Sequence, residues 1–326
     1  MEITAAENPV THRAEVPSAV VIGLEVGVAQ IRAVAMAPDG SLVHSGRRPT
    51  RADRGPDAVL ETVLEYAADL ARHHAPSAAG IAVPGLVGEA TGTAVFAAHL
   101  GWREIPVRRW LAEELDVPVA FGHDVRAGGL AEARLGAGRS CRSFLYVPVG
   151  TGIAASMVLD GHAPGGDGEL GHVVVRPGGD PCPCGGSGCL ETIASAAAIA
   201  RRYRLATGEA RVTARDVQAR AAAGDGTAAA IWQEAVEGLA EVLAAAVGDT
   251  APERIVIGGP LSLAGRTYLD PLWKALSERL TSPDPPRVVA AALGRRAAAL
   301  GAALLAQDLR PPRHPAGAEA AGHHCA

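Results

Sequence analysis

Short apolar runs punctuated by glycine and proline dominate the chain from Val20 onward. Val20–Val26 and Ile31–Ala37 are two such runs separated by Gly27, and Pro38-Asp39-Gly40 turns the chain into a third predicted strand, Ser41–Gly46. The spacing then predicts a helix from Pro56 to about His73, with Pro56 suited to the first turn. Ile81-Ala82-Val83 reads as a buried strand ending at Pro84-Gly85, Ile105–Leu115 as a helix, Val117–Phe121 as a strand and Val125–Leu135 as a helix. A similar plan restarts with strand Phe144–Val149, the tight turn Gly150-Thr151-Gly152, strand Ile153–Leu159 and the turn Asp160-Gly161. Helices are predicted at Thr192–Arg204, Thr213–Ala223 and Thr227–Val247, then a strand at Arg254–Ile257, Gly258-Gly259, and a last apolar helix at Arg296–Gln307. Two copies of a hairpin-plus-βαβ plan predict an α/β protein of two domains facing each other across a cleft. A glycine turn in each hairpin lets backbone N–H groups approach an anion from both sides.

Composition narrows the chemistry. The length of 326 residues suits about two domains, and 48% hydrophobic residues supply ample core. Net charge is −5, from 30 basic and 35 acidic residues, so no basic footprint recommends nucleic acid or an anionic membrane. Lys274 is the only lysine and follows no glycine loop, which excludes a P-loop, a protein kinase and a Schiff-base enzyme. The N-terminus does not read as a secretory signal, and Glu25, Gln30 and Arg32 break the one long apolar stretch, so a cytoplasmic protein with no membrane partner is expected. The ends, 1–18 and 310–326, lack clear periodicity and are expected to be disordered; His323, His324 and Cys325 belong to that solvated tail. His73-His74 reads as a polar last helical turn.

Chemistry concentrates between Gly168 and Glu191. His172, Cys182, Cys184 and Cys189 are four ligands of the types that tetrahedral zinc prefers, in a Gly/Pro-rich loop. With no open position left, such a site is structural. Glu169 and Glu191 flank it, as site carboxylates or as solvated ones, Glu191 being placed to start a helix. Asp124 follows a predicted strand and opens a predicted helix, which suits either an N-cap or a general base facing the cleft.

Gly168-Glu169-Leu170-Gly171-His172, the Cys182–Glu191 run, Gly150-Thr151-Gly152-Ile153 and Ile257-Gly258-Gly259-Pro260-Leu261-Ser262 resemble the ROK family of bacterial sugar kinases and repressors. So do Val83-Pro84-Gly85, Thr91-Gly92-Thr93 and Leu100-Gly101-Trp102, and the motif order holds from about Val20 to Gln307. The resemblance implies two actin-like (ribonuclease H-like) domains around a cleft. The smaller would span 19–122 and be joined by the helix 296–309; the larger, 123–295, would carry the zinc loop. It also implies ATP with Mg²⁺, a sugar or polyol substrate and a homo-oligomer. By motif, Asp124 matches the catalytic base, and Glu169, His172 and Glu191 match sugar-binding residues, His172 being also a zinc ligand. Gly150, Thr151 and Gly152 match the second phosphate loop, and Gly258 and Gly259 the adenosine motif. ROK repressors carry a helix-turn-helix before the first hairpin; only the short segment before Val20 precedes it here, which disfavours a repressor.

Two stretches depart from the family pattern. Its first phosphate loop usually reads Asp-x-Gly-Gly-Thr, whereas this chain has Glu25-Val26-Gly27-Val28-Ala29. Glu25 and Gly27 keep the charge and one glycine, with Glu25 still suited to Mg²⁺; Ala29 lacks the hydroxyl, and a lost phosphate hydrogen bond costs about 1.5–3 kcal/mol. On the sugar side, His99 and His123 stand where family glucokinases usually have asparagine, which points away from glucose. Three functions fit: a kinase for a hexose-like polyol such as an uncommon sugar or a C7-cyclitol, a glucokinase proper, and a sugar-binding sensor (a pseudokinase) without productive ATP use. Asp124, Glu169 and Glu191 argue for a kinase, Val28 and Ala29 for the sensor.

Overall fold

In the computed structural model, which describes residues 20–165, 168–282 and 284–309, the first apolar runs form an antiparallel meander. The expected tails, with His323, His324 and Cys325, lie outside the described residues. Strand β1 (Val21–Val26) pairs with β2 (Gln30–Met36), and β2 with β3 (Leu42–Pro49). Helix α1 (Pro56–His74) returns the chain to β4 (Ala78–Val83), parallel to β1. Its buried Val59, Val63, Tyr66 and Leu70 fall on one face and pack with Ile22, Leu24 and Ile31. Strands β5 (Leu86–Gly88), β6 (Thr93–Ala97) and β7 (Trp102–Ile105) make a small antiparallel sheet that the sequence pattern does not predict. Ile105 thus ends a strand, and helix α2 (Val107–Leu115) begins after Pro106. Strand β8 (Val119–His123) completes a sheet ordered β3-β2-β1-β4-β8.

Helix α3 (Asp124–Leu135) leads to β9 (Ser143–Pro148) and β10 (Ser156–Leu159). Among the described residues this second hairpin has no third strand to match that of the first, and β10 is the edge of its sheet. The helix predicted at Thr192–Arg204 is two, α4 (Glu191–Ala194) and α5 (Ala196–Thr207). The break falls at Ser195, whose Oγ accepts the Ala198 N–H at 3.0 Å and caps α5. Helices α6 (Ala214–Ala222) and α7 (Gly226–Thr250) precede β11 (Arg254–Gly258). Helix α8 (Arg266–Ser277) and strand β12 (Arg287–Ala290) follow, and the second sheet runs β10-β9-β11-β12.

The last helix, α9 (Ala297–Asp308), lies flush on β1 and β4 and packs against α3. A Cβ at Gly80 would stand 1.8 Å from the Ala302 carbonyl oxygen, so only glycine lets strand and helix approach this closely. One buried core surrounds the first sheet with α1 and α2, and another the second sheet with α5 to α8. Two connections run between these halves, from α3 to β9 and from β12 to α9. The fully buried Glu132 carboxylate accepts N–H groups from both: Ala137 at 2.7 Å, Ala292 at 3.1 Å and Leu293 at 2.9 Å. Among the described residues no helix is long and apolar enough to cross a membrane.

Candidate active site

The carboxyl end of β1 places Glu25 opposite Arg32 on β2. Arg32 Nη1 donates to both carboxylate oxygens, at 3.1 and 3.3 Å. Burial pushes the Glu25 carboxyl up to about 7; Arg32 opposes that rise and the negative Asp124 adds to it. Gly27 N–H closes the turn onto the Gln30 carbonyl at 3.1 Å, and Thr50 Oγ1 donates to the Gly27 carbonyl at 2.6 Å. Val28 and Ala29 at the tip are exposed.

Asp124 stands at the carboxyl end of β8 as the first residue of α3, and the N-cap is His123. His123 Nδ1 and Asp124 Oδ1 share the Val125 N–H, at 3.3 and 2.8 Å. Asp124 Oδ2 carries no hydrogen bond among the described residues. The His123 ring is almost wholly buried, and its Nδ1 lies 3.5 Å from Asp124 Oδ1. Glu89, in the turn after β5, anchors this corner: its Oε1 accepts the His123 N–H at 3.3 Å and Arg126 Nε and Nη2 at 2.9 and 2.8 Å. No motif marks Glu89 in the sequence. His99 is exposed in a short turn between β6 and β7.

On the second sheet, the Gly150–Gly152 loop and Gly258-Gly259 meet. Val149 N–H donates to the Gly258 carbonyl at 3.1 Å, and Gly150 N–H to that of Gly152 at 2.9 Å. Gly259 has φ 75°, and a Cβ there would lie 2.4 Å from the Val149 carbonyl oxygen. Thr151 is exposed at the tip. Glu191 opens α4 and accepts the Ile153 N–H at 3.1 Å, tying it to the loop. Tyr146 links the halves: a Cβ on Gly258 would stand 2.8 Å from its hydroxyl, and one on Gly128 of α3 3.2 Å. Burial first, then Glu132, Glu25 and Asp124, push its phenol upward.

The ligating atoms of His172, Cys182, Cys184 and Cys189 lie within 4.8 Å of one another. Cys182 Sγ is 3.5 Å from His172 Nδ1, and Cys184 Sγ is 3.7 Å from Cys189 Sγ. A tetrahedral ion with zinc's usual bond lengths sets sulfur–sulfur edges of about 3.75 Å and sulfur–nitrogen edges of about 3.6 Å, so this donor set fits zinc. Without a metal, burial pushes the Cys189 thiol up to about 12 and raises Cys182, while backbone bonding at Gly186 lowers Cys184. His172 Nε2 faces away from the sulfurs, 3.7 Å from Glu169 Oε2.

Known proteins resemble this chain in sequence and fold. The model of the ROK family matches residues 21–309. The chain belongs to the ROK family. It is 34% identical over 279 residues to a glucokinase of Halalkalibacterium halodurans, covering 77% of this chain and 83% of that one. A kanosamine kinase of Amycolatopsis mediterranei is 34% identical over 239 residues, 70% of this chain and 76% of that one. The crystal structure of a ROK glucokinase from Streptomyces griseus with glucose and AMPPNP superposes with a TM-score of 0.78 at 26% identity, covering 89% and 99% of the two chains. The two-domain actin-like architecture expected from the motifs is therefore the fold of this ROK protein. Within it, Glu25 feels the charge of Asp124, Glu169 adjoins His172, and Glu191 adjoins Gly152-Ile153.

Proposed function

We propose that the protein is an ATP-dependent kinase that phosphorylates a hydroxyl of a hexose or hexose-like polyol, with Asp124 as general base. The observation that carries this reading is the placement of Asp124: a carboxylate at a strand's carboxyl end, with Oδ1 occupied by the Val125 N–H and Oδ2 unengaged among the described residues, close enough for its charge to be felt at Glu25. Asp124 Oδ2 takes the proton of the attacking hydroxyl as that oxygen bonds the γ-phosphorus. The bond from the γ-phosphorus to its bridging oxygen breaks, and ADP leaves with the electron pair. Glu25 is the carboxylate suited to the Mg²⁺ that accompanies ATP and neutralises phosphate charge. His172 Nδ1 and the three cysteines would hold a zinc ion, which would fix the imidazole so that its Nε2 and Glu169 could meet the sugar. Gly150, Thr151 and Gly152 serve the phosphates and Gly258 and Gly259 the adenosine.

The nature of the acceptor follows from His123, which caps α3 and whose neutral ring offers one donor and one acceptor, placed differently from those of an asparagine amide and on a larger ring. That favours an amino sugar, an uncommon hexose or a C7-cyclitol over glucose. A sensor without turnover is the second reading, favoured by Val28 and Ala29 at the phosphate loop. ADP release by zinc-replete protein with Mg-ATP, across hexoses, amino sugars and cyclitols, separates them. Turnover on one polyol, reduced about 10²- to 10⁴-fold in Asp124→Ala, is expected of the kinase. A sugar that raises Tm with no ADP released would establish the sensor.

A further inference from the structure

The metal loop is fastened to the helices behind it by charged side chains. Its neck lies at Arg176, between the candidate ligand His172 and the three cysteines. There the Val175 and Arg176 N–H groups donate to the Gly188 carbonyl at 2.9 and 3.0 Å, and the Gly179 N–H donates to the Arg176 carbonyl at 2.8 Å. A Cβ on Gly188 would stand 1.7 Å from the Arg176 carbonyl oxygen, so the two limbs of the loop cross in direct backbone contact. The Arg176 side chain leaves this crossing for α7, where its Nε donates to Glu234 Oε1 at 3.1 Å. The other oxygen, Oε2, accepts Arg202 Nη2 of α5. A second tether from the same helix, Arg201 Nη2 to Asp180 Oδ2 at 2.9 Å, reaches the loop directly.

Glu234 is therefore shared by two guanidinium groups from different elements. Arg202 Nη1 is buried with no hydrogen-bond partner among the described residues. Desolvation and that unmet donor offset much of the attraction in such a triad, so it adds little to global stability. Its consequence is local: it fixes where Arg176, and with it the neck of the loop, can lie. Burial by itself would raise the Glu234 carboxyl, but Arg202 and Arg176 outweigh it and hold the group below the usual carboxylate range.

We propose that Glu234 is a positioning residue of the sugar site: by holding Arg176 it keeps the metal loop closed on α7, and so keeps His172 and Glu169 in place. The sugar role of those two rests on the kinase reading, whereas the tether is tested without substrate. Zinc release to a chromogenic chelator, pyridylazoresorcinol, is followed in wild type, Glu234→Gln, Arg176→Gln and the double variant. Each is reconstituted with zinc and held well below its melting temperature. Each single variant is expected to release zinc about tenfold faster than wild type, and the double variant no more than about twofold faster than either. A single variant within about twofold of wild type, or single effects that multiply in the double variant, would overturn the proposal. So would wild type that holds no zinc after reconstitution.

Glu132→Ala separates positioning from loss of stability, because it weakens the connections between the halves and leaves the tether intact. It is expected to lower Tm more than Glu234→Gln does, yet to release zinc at about the wild-type rate; release as fast as in Glu234→Gln would refute the positioning role. Cobalt(II)-loaded Glu234→Gln should keep the wild-type visible spectrum, since the ligand set is untouched, and a changed spectrum would count against a tether that acts from behind the site. Absence of ADP release by wild type would defeat the kinase reading, while the zinc rates would still decide on Glu234.

Discussion

At the scale of single residues, two carboxylates with different surroundings divide the work. Asp124 is half-engaged through Oδ1, whereas Glu25 is buried against Arg32. Glu25 is raised to about 7 by burial, countered by Arg32 and reinforced by Asp124. The sign for activity follows: below 7 the carboxyl is largely neutral and a poor partner for magnesium, so kcat/KM for Mg-ATP should rise with pH through about 7. A pH–rate profile checks this, and in Arg32→Met the limb should move to higher pH, because a charge that lowers Glu25 is gone. The place of Asp124 between strand and helix was legible from the alternation of apolar runs and glycines around it. Glu89 was not, because its turn carries no periodic signal and its partners, His123 and Arg126, are more than thirty residues away.

At the scale of elements, the metal loop is the most self-contained unit. Its four candidate ligands fall within eighteen residues, and glycines let the backbone wrap around an ion, so the cluster was legible from composition and spacing. Cys182→Ser should lower bound zinc, measured by atomic absorption, and raise KM for the sugar about tenfold or more while changing KM for ATP far less, as expected if the paired His172 Nε2 and Glu169 meet the sugar as proposed. The long periodic elements were legible to within a few residues. Strands β5 to β7, with three to five residues each, were not, because each is too short to show alternation. Helix α8 was hidden by Pro271 in its interior, and the Thr192–Arg204 helix split because the Ser195 hydroxyl gives the backbone a better end than continuation.

For the whole molecule, function depends on how the two halves are joined. Glu132 fastens both connections with one buried carboxylate, and Gly80 lets α9 lie directly on the first sheet. Glu132→Ala leaves three N–H groups short of their acceptor and should cost about 3 kcal/mol or more, read as a lower denaturant midpoint. A Glu132→Gln variant should recover part of that loss, since the amide oxygen still accepts while its NH₂ opposes the donors. The sequence by itself determined the strand-and-helix alternation, the metal ligands, the strand-end carboxylate and the glycine turns, because each is a local pattern set by backbone geometry or donor chemistry. Tertiary structure alone decided that Arg32 faces Glu25, that Glu89 anchors Asp124's helix, and that Tyr146 lies between Gly128 and Gly258. Those relations depend on register and helix packing across distant segments, and no local pattern encodes a distance between residues that meet only when the chain closes on itself.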